Sequence, residues 1–210
     1  SAWGQSLGET GDAYPVLGGK TVYQNTDCAG VISYSNIRIE GATHDFDDNG
    51  FCTNCGGYEA AVLNSDGYYE ISNAGQLYWF MELVNSVEPD ESGNRYADYD
   101  AALTADITVN ENVLNEDGTL NGDGSNFRAW FPIGYYYDRD EDGTEEDVYY
   151  NGAFDGQGYT ISGLYFDNAE QGYVGLFGQT KSGAEICNVT VADSYFKGKN
   201  DVGGVCGENN

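Results

Sequence analysis

The sequence is poor in cations, in His and in long apolar runs. Its 210 residues include 8 Lys plus Arg against 35 Asp plus Glu, with one His and three Pro. The formal net charge of −27 repels phosphate backbones and anionic headgroups, so nucleic acid and membrane-surface partners are disfavoured. No run of about 18 apolar residues occurs, and we therefore expect no membrane insertion.

The single His, His44, limits the catalytic mechanisms open to the chain. Ser-His-Asp and Cys-His catalysis need a His as general base, and the His-Glu-x-x-His zinc motif needs two. The G-x-x-x-x-G-K phosphate loop is also absent. We therefore predict a chain that is not an enzyme. Paired carboxylates stay an alternative, because 35 acidic residues always supply candidate pairs.

The residues that are abundant indicate a folded, mostly β protein. An aromatic content of 14%, with 18 Tyr, argues against a disordered acidic chain. Thirty Gly and few Pro predict many tight turns and few long helices. The chain begins at Ser1 without Met or an apolar leader, so we expect a mature or excised piece.

One stretch has the periodicity of a helix. Its apolar residues recur at helical spacing and are Leu77, Phe80, Met81 and Val84. Ser72 or Asn73 precedes them and offers a side-chain oxygen as N-cap, so we predict one short helix here. Strands are predicted at residues 68–71 and 103–109, and a loop at residues 110–126.

The last third of the chain contains two related copies. Val174-Gly-Leu-Phe-Gly is echoed from Val202, an offset of 28 residues (202 − 174), and the stretch from Ile161 is echoed from Ile186, an offset of 25 (186 − 161). A strand-built repeat of this length predicts a stacked solenoid, in which each rung leaves its apolar face open until a neighbour covers it. We expect that the protein continues beyond Asn210 or that this end is an edge awaiting a partner.

These residues resemble a known family. Residues 151–164, Asn-Gly-Ala-Phe-Asp-Gly-Gln-Gly-Tyr-Thr-Ile-Ser-Gly-Leu, followed by Val-Gly-Leu-Phe-Gly at 174–178, look like the GLUG-motif repeat. That repeat occurs in large bacterial surface proteins and in the stalk of M26 IgA1 proteases. Residues 120–134 and 69–77 are similar to segments that precede it. The resemblance implies a right-handed β-helix, or β-solenoid, in a secreted or cell-surface protein of a Gram-positive bacterium.

The Cys and His residues concentrate before the repeat. Cys52-Thr-Asn-Cys55-Gly is a C-x-x-C-G knuckle, and Cys28 and His44 lie upstream of it. Three thiolates and one imidazole satisfy a closed tetrahedral zinc site, which we predict to be structural. A disulfide between Cys52 and Cys55, or between Cys28 and either of them, stays open as the alternative, because secreted proteins favour disulfides.

An acidic stretch offers a second metal candidate. Asp138, Asp140 and Asp142, followed by Gly143, match the first half of a calcium-binding EF-hand loop. The twelfth position of that loop is Tyr149 rather than the bidentate Glu. A calcium site therefore competes with a solvated acidic turn.

Four aromatic residues are candidates for stacking against a sugar ring. They are Trp130, Tyr135, Tyr136 and Tyr137. Because the chain is strongly acidic, a neutral host glycan or glycoprotein is the partner they suit. Aromatic residues also fill cores, so both interpretations stay open.

Together these features predict three parts. Residues 1–27 are the terminal strand and turn of a preceding element, residues 28–64 form a Cys/His module held by metal or disulfide, and residues 65–210 form a GLUG-type β-solenoid. We predict a non-catalytic structural or adhesin-like segment of a large secreted or cell-surface protein. It would space or present other domains or copies of that protein. The alternatives are a carbohydrate-binding module and a glycan-active β-helix enzyme.

Overall fold

The computed structural model describes residues 3–5, 7, 16–17, 20–35, 43–86, 95–135 and 148–210. The chain divides into two compact units, Ser1–Gly57 and Tyr58–Asn210. The described strands of the first unit are β1 (Trp3–Gly4), β2 (Val16–Leu17), β3 (Tyr23–Thr26) and β4 (Ile32–Ser35). The second unit begins with β5 (Val62–Leu63), β6 (Tyr68–Ile71), the helix α1 (Ala74–Asn85), β7 (Arg95–Ala97), β8 (Asp100–Leu103) and β9 (Ile107–Thr108). It continues with β10 (Val148–Tyr150), β11 (Ala153–Asp155), β12 (Thr160–Ser162), β13 (Tyr165–Asp167), β14 (Phe177–Thr180), β15 (Glu185–Cys187), β16 (Thr190–Ala192), β17 (Tyr195–Lys197) and β18 (Cys206–Asn209).

The second unit is a β-solenoid, which confirms the predicted mostly β fold with one helix. Its strands stack in parallel in the orders β7-β10-β14-β18, β6-β8-β11-β15, β9-β12-β16 and β13-β17. The strands β6, β8, β11 and β15 therefore belong to four successive rungs. At the first rung β5 pairs antiparallel with β6, although the sequence analysis assigned residues 62–63 to the Cys/His module. Among the described residues, no helix is long and apolar enough to cross a bilayer.

Apolar side chains stack on like side chains along the inside of the solenoid. Ile107 pairs with Ile161 and Ile161 with Val191, so this ladder extends through three rungs. Ile161 is fully buried. Stacked aliphatic side chains exclude water from both faces of each rung, which is the main stabilising contribution in such a fold.

The structure corrects one of the two predicted repeat offsets. Val174 pairs with Val202, which confirms the offset of 28 residues. Ile161, however, pairs with Val191, 30 residues later (191 − 161), whereas Ile186 pairs with Phe154 on another side of the rung. The offset of 25 is wrong because adjacent sides of one rung have similar alternating apolar triplets. It relates a strand on one side of a rung to a strand on an adjacent side of the following rung, and these two strands do not pair.

The predicted helix is confirmed, and it packs against the strands of the solenoid. The rings of Phe80 and Phe154 lie 6.3 Å apart, and those of Phe80 and Tyr150 6.2 Å apart. The rung between them has small buried residues at these positions, since Ala97 pairs with Tyr150 and Ala101 with Phe154. These alanines leave the space into which the helix inserts its aromatic side chain.

The predicted strand at residues 103–109 is two strands, β8 and β9, separated by a corner. At that corner the Thr104 N–H donates to the Ile71 carbonyl at 2.9 Å. The Asp106 carboxylate accepts from the Thr160 N–H of the next rung at 2.8 Å. A solenoid must turn between its sides, and polar residues that bond to neighbouring rungs make that turn.

The N-cap of α1 gives a first testable prediction. The Asn73 side chain accepts from the Gln76 N–H at 2.8 Å and donates to Glu59 at 2.7 Å. We expect Asn73→Ala to lower the free energy of unfolding by about 1 kcal/mol, measured by urea denaturation, because a helix N–H loses its partner. Asn73→Ser is the control: it keeps the capping oxygen and loses only the bond to Glu59. Equal losses in the two variants would contradict the capping explanation.

Candidate metal centre

Four metal-ligating side chains of the first unit converge on one point. They are Cys28, His44, Cys52 and Cys55, and their ligand atoms all lie within 4.8 Å of one another. The Sγ atoms of Cys28 and Cys52 are 3.4 Å apart, and Cys55 Sγ is 3.4 Å from His44 Nδ1. A tetrahedral zinc ion with Zn–S bonds of about 2.3 Å places its sulfur ligands about 3.8 Å apart. The cluster therefore has the size and donor set of a metal site.

A hairpin turn delivers the first ligand of this cluster. Cys28 lies in the turn between β3 and β4, where the Asp27 carboxylate accepts from the N–H groups of Ala29 and Val31 at 2.9 and 2.8 Å. The Cys28 N–H donates to the Thr43 carbonyl at 3.0 Å. This bond places the residue after Thr43, which is His44, beside the turn.

A second tight turn delivers Cys52 and Cys55. The Gly56 N–H donates to the Cys52 carbonyl and the Cys52 N–H donates to the Gly57 carbonyl, so the knuckle folds back on itself. Gly56 has a φ of +72°, which a residue with a side chain rarely adopts. At Gly57 a Cβ atom would lie 3.3 Å from Cys55 Sγ and 3.6 Å from the His44 ring. The two glycines let the backbone approach the cluster closely.

Two thiols of the cluster, Cys28 and Cys52, differ in pKa. Burial opposes ionisation of Cys52, but N–H groups of Cys55 and Asn54 and the contact with His44 outweigh it and lower the pKa of this thiol to about 5. Burial and the neighbouring thiols raise the pKa of Cys28 to about 12. Crowded sulfur atoms retain a proton where no cation balances their charge, and a bound divalent cation reverses that preference.

The predicted sugar-stacking residues that the structure describes lie in the core. Trp130 is fully buried, and its indole N–H donates to the Gly175 carbonyl at 3.0 Å. Tyr135 is 5% exposed and its ring lies 6.0 Å from that of Phe166. Trp130 therefore offers no surface to a glycan, which corrects its assignment as a stacking residue: its large apolar area is better stabilised inside the solenoid.

The remaining candidates fall outside the described residues. They are Tyr136, Tyr137 and the three carboxylates of the calcium candidate, Asp138, Asp140 and Asp142. The calcium site stays a prediction.

An aromatic row that the sequence analysis missed lies on the outside of the solenoid. The rings of Tyr165 and Tyr195, on neighbouring rungs, stack 6.0 Å apart at an interplanar angle of 20°. Phe127 extends the row, 5.5 Å from Tyr165. Beside it Lys197 forms an ion pair with Asp167 at 2.9 Å. The recurrence of Tyr-Phe after 30 residues (195 − 165) is the signal that could have revealed this row.

A groove of about 640 Å³ follows α1 in the second unit. Its lining is mostly apolar and includes Trp79, Met81 and Phe131. Among the described residues that line it, Glu82 is the only carboxylate, and burial raises its pKa. Glycoside hydrolysis uses two carboxyl groups about 5 to 9.5 Å apart, so these residues supply half of the required pair.

Comparisons with known proteins give one partial match. No protein-family model matches the sequence, and no solved structure matches it. The chain is 36% identical over 108 residues to "Halomucin" of Haloquadratum walsbyi (strain DSM 16790 / HBSQ001). The matched region covers 51% of this chain and 1% of that protein. The chain is therefore similar to a short stretch of a very much longer protein.

Proposed function

We propose that this chain is a non-catalytic structural segment of a large secreted or cell-surface protein, spacing or presenting the domains beside it. The observation that carries the proposal is the filled solenoid interior: apolar ladders occupy it from rung to rung, with Ile161, Phe154 and Phe177 all fully buried. A stack of this kind holds its two ends at a fixed spacing without a bound ligand. The match to 1% of a much longer protein supports the same role. The resemblance to GLUG-motif surface proteins remains part of this proposal.

The proposal includes a structural zinc ion bound by the Cys/His cluster. Cys28, Cys52 and Cys55 supply three thiolates and His44 the imidazole, a donor set that closes a tetrahedral site. A closed site leaves no position for a substrate or an activated water, so its role is to stabilise the first unit. In the hairpin of β3 and β4, Tyr34 and Val31, the residue just before β4, are each 62% exposed. Metal binding can supply folding free energy to a segment whose apolar residues are left at the surface in this way.

The aromatic row supports a second candidate function, binding of a neutral glycan. Tyr165 and Tyr195 are half-buried, and they present stacked rings on successive rungs beside the Lys197–Asp167 ion pair. Aromatic faces with polar groups alongside are the usual components of a sugar-binding surface. The chain's negative charge favours a neutral over an anionic sugar.

A glycan-array screen with the purified chain separates the two candidates. The structural proposal expects no saturable binding to any neutral oligosaccharide. Saturable binding that Tyr195→Ala abolishes would contradict a purely structural role and favour the second candidate. Tyr34→Ala is the matched control, because it removes an exposed Tyr from the first unit without touching the aromatic row.

A further inference from the structure

One corner of the solenoid contains the acceptor sequence for N-linked glycosylation. Asn188-Val-Thr190 is the only Asn-x-Ser/Thr triplet in the sequence. β15 ends at Cys187 and β16 begins at Thr190, so Asn188 lies in the corner between two sides of a rung and not within a strand. Asn188 and Thr190 are both exposed. The triplet therefore has the surface position that its modification requires.

The backbone of this corner is fixed by the rung before it. The Asn188 carbonyl accepts from the Gly158 N–H at 2.8 Å, and the Thr190 N–H donates to the Tyr159 carbonyl at 3.3 Å. Asn188 has a φ of +54°, a left-handed conformation that Asn adopts more readily than most residues. The backbone of the triplet thus bonds to the preceding rung, and the Asn188 side chain is left at the surface.

The exposure of Asn188 does not depend on whether a further rung follows. The corner between β11 and β12, in the preceding rung, also has a residue with a left-handed backbone, Gln157 with a φ of +49°. β15 and β16 pair with β11 and β12 and so lie over that rung. Gln157 is nevertheless exposed. A neighbouring rung therefore leaves a side chain at this corner accessible.

The Asn188 amide can accept a sugar and keep its main structural contact. Its Nδ2 atom donates to the Asp155 carboxylate at 3.0 Å and lies 3.5 Å from the Cys187 Sγ atom, a weak acceptor. A side-chain amide has two N–H donors, and an N-linked sugar replaces one of them. The other N–H is enough for the bond to Asp155, so modification costs only the weak contact with Cys187.

We propose that Asn188 is a modification site that takes an N-linked oligosaccharide. The donor class is an oligosaccharide joined through its C1 atom to a lipid phosphate. The Nδ2 atom forms a bond to C1 and the bond between C1 and the phosphate oxygen breaks. The lipid phosphate leaves with that electron pair, and Nδ2 loses one proton to a base of the transferase. The proposal rests on the secreted or cell-surface role proposed above, because exported chains are the ones that meet such donors.

The test is a transfer reaction with the full chain, produced without glycosylation and kept folded. The chain is incubated with a purified oligosaccharide transferase and a polyisoprenyl diphosphate oligosaccharide, and intact mass spectrometry follows the product. We expect a single oligosaccharide per chain, on the peptide that contains Asn188. Peptide N-glycanase in heavy-oxygen water should then convert Asn188 to a labelled Asp.

Matched variants separate the acceptor sequence from its position in the fold. Thr190→Val should abolish transfer because the triplet loses its hydroxyl, whereas Thr190→Ser should keep it. Thr190 is exposed, so both variants should give the circular dichroism spectrum of the parent chain. A third variant combines Asn188→Gln with Gln157→Asn and Tyr159→Thr. In it the oligosaccharide should move to position 157, at the corner over which a rung lies.

Three results would overturn the proposal. The first is an unmodified folded chain under conditions in which a synthetic peptide of residues 184–194 is modified, since the fold would then block the site. The second is undiminished transfer to Thr190→Val. The third is an Asn188 peptide without sugar in protein isolated from the surface of its source cells. The transfer reaction uses purified chain, so its failure would not bear on the surface role, which depends on where the protein is found.

Discussion

Replacing Cys52 with Ser is expected to abolish stoichiometric zinc binding and to unfold the first unit around the cluster. Cys52 is the most buried of the four ligands, 3% exposed, and its sulfur lies 3.4 Å from that of Cys28. In small zinc modules metal binding contributes about 10 to 16 kcal/mol of apparent folding free energy at neutral pH. Under the zinc proposal, loss of one thiolate is expected to remove much of the folding free energy that metal binding supplies to this unit. Zinc content by mass spectrometry of the purified chain and an amide NMR spectrum measure the two effects.

The same experiment separates the unit's dependence on metal from a general effect of losing a thiol. Cys187→Ser is the matched control, because Cys187 lies in β15 of the second unit and should leave zinc content unchanged. A chelator should reproduce the Cys52→Ser spectrum. Zinc affinity should also fall as the pH falls, since thiols must lose their protons to bind. A zinc-free protein with fewer than its five Cys residues titrating as free thiols would contradict the proposal and favour a disulfide.

Trp130→Ala is expected to destabilise the second unit by about 3 to 5 kcal/mol, the usual cost of deleting a fully buried Trp side chain. The Trp130 indole has no exposed surface, and the ring of Tyr78 meets it edge-on at 5.2 Å. The substitution leaves a cavity and also leaves the Gly175 carbonyl without its 3.0 Å partner. Urea denaturation followed by far-ultraviolet circular dichroism measures the change in the free energy of unfolding.

The neighbouring residue provides the control for this prediction. Phe131 is 46% exposed, so Phe131→Ala should cost less than about 1 kcal/mol. Trp130→Phe keeps most of the ring and loses only the N–H, and we expect a loss of about 1 to 3 kcal/mol from the unpaired carbonyl. Equal losses for Trp130→Ala and Phe131→Ala would show that Trp130 is not a core residue.

The helix and the repeat were predictable from the sequence, but the register was not. Asn73 and the apolar spacing from Leu77 onward specify α1 locally, and the structure confirms both. The pairing of Ile161 with Val191 rather than Ile186 depends on which sides of the rung meet. Alternation of apolar residues is the same on every side, so the sequence pattern alone does not distinguish the sides.

The candidate metal centre was predictable because Cys and His, the residue types that bind zinc, are scarce in this chain. The chain has one His, and the C-x-x-C-G knuckle and Cys28 are near it in sequence.

The positions of the aromatic residues, in the core or at the surface, were not predictable from the sequence. Trp130 was a candidate for sugar stacking and is buried, whereas Tyr165 and Tyr195 were overlooked and lie half-buried on an outer face. Aromatic side chains serve both cores and surfaces, and composition does not tell which.

The sequence by itself determined the mostly β composition, the helix α1, the strand-built repeat and the grouping of three Cys with the only His. These features follow from the local spacing of residues and from the positions of scarce residue types, so they can be recognised without knowledge of long-range contacts. Only the tertiary structure decided which strands pair, that Phe80 fills the space above Ala101, and that Val202 is exposed where Val174 is buried. Burial depends on what lies across the gap from a side chain, and that neighbour is far away in sequence.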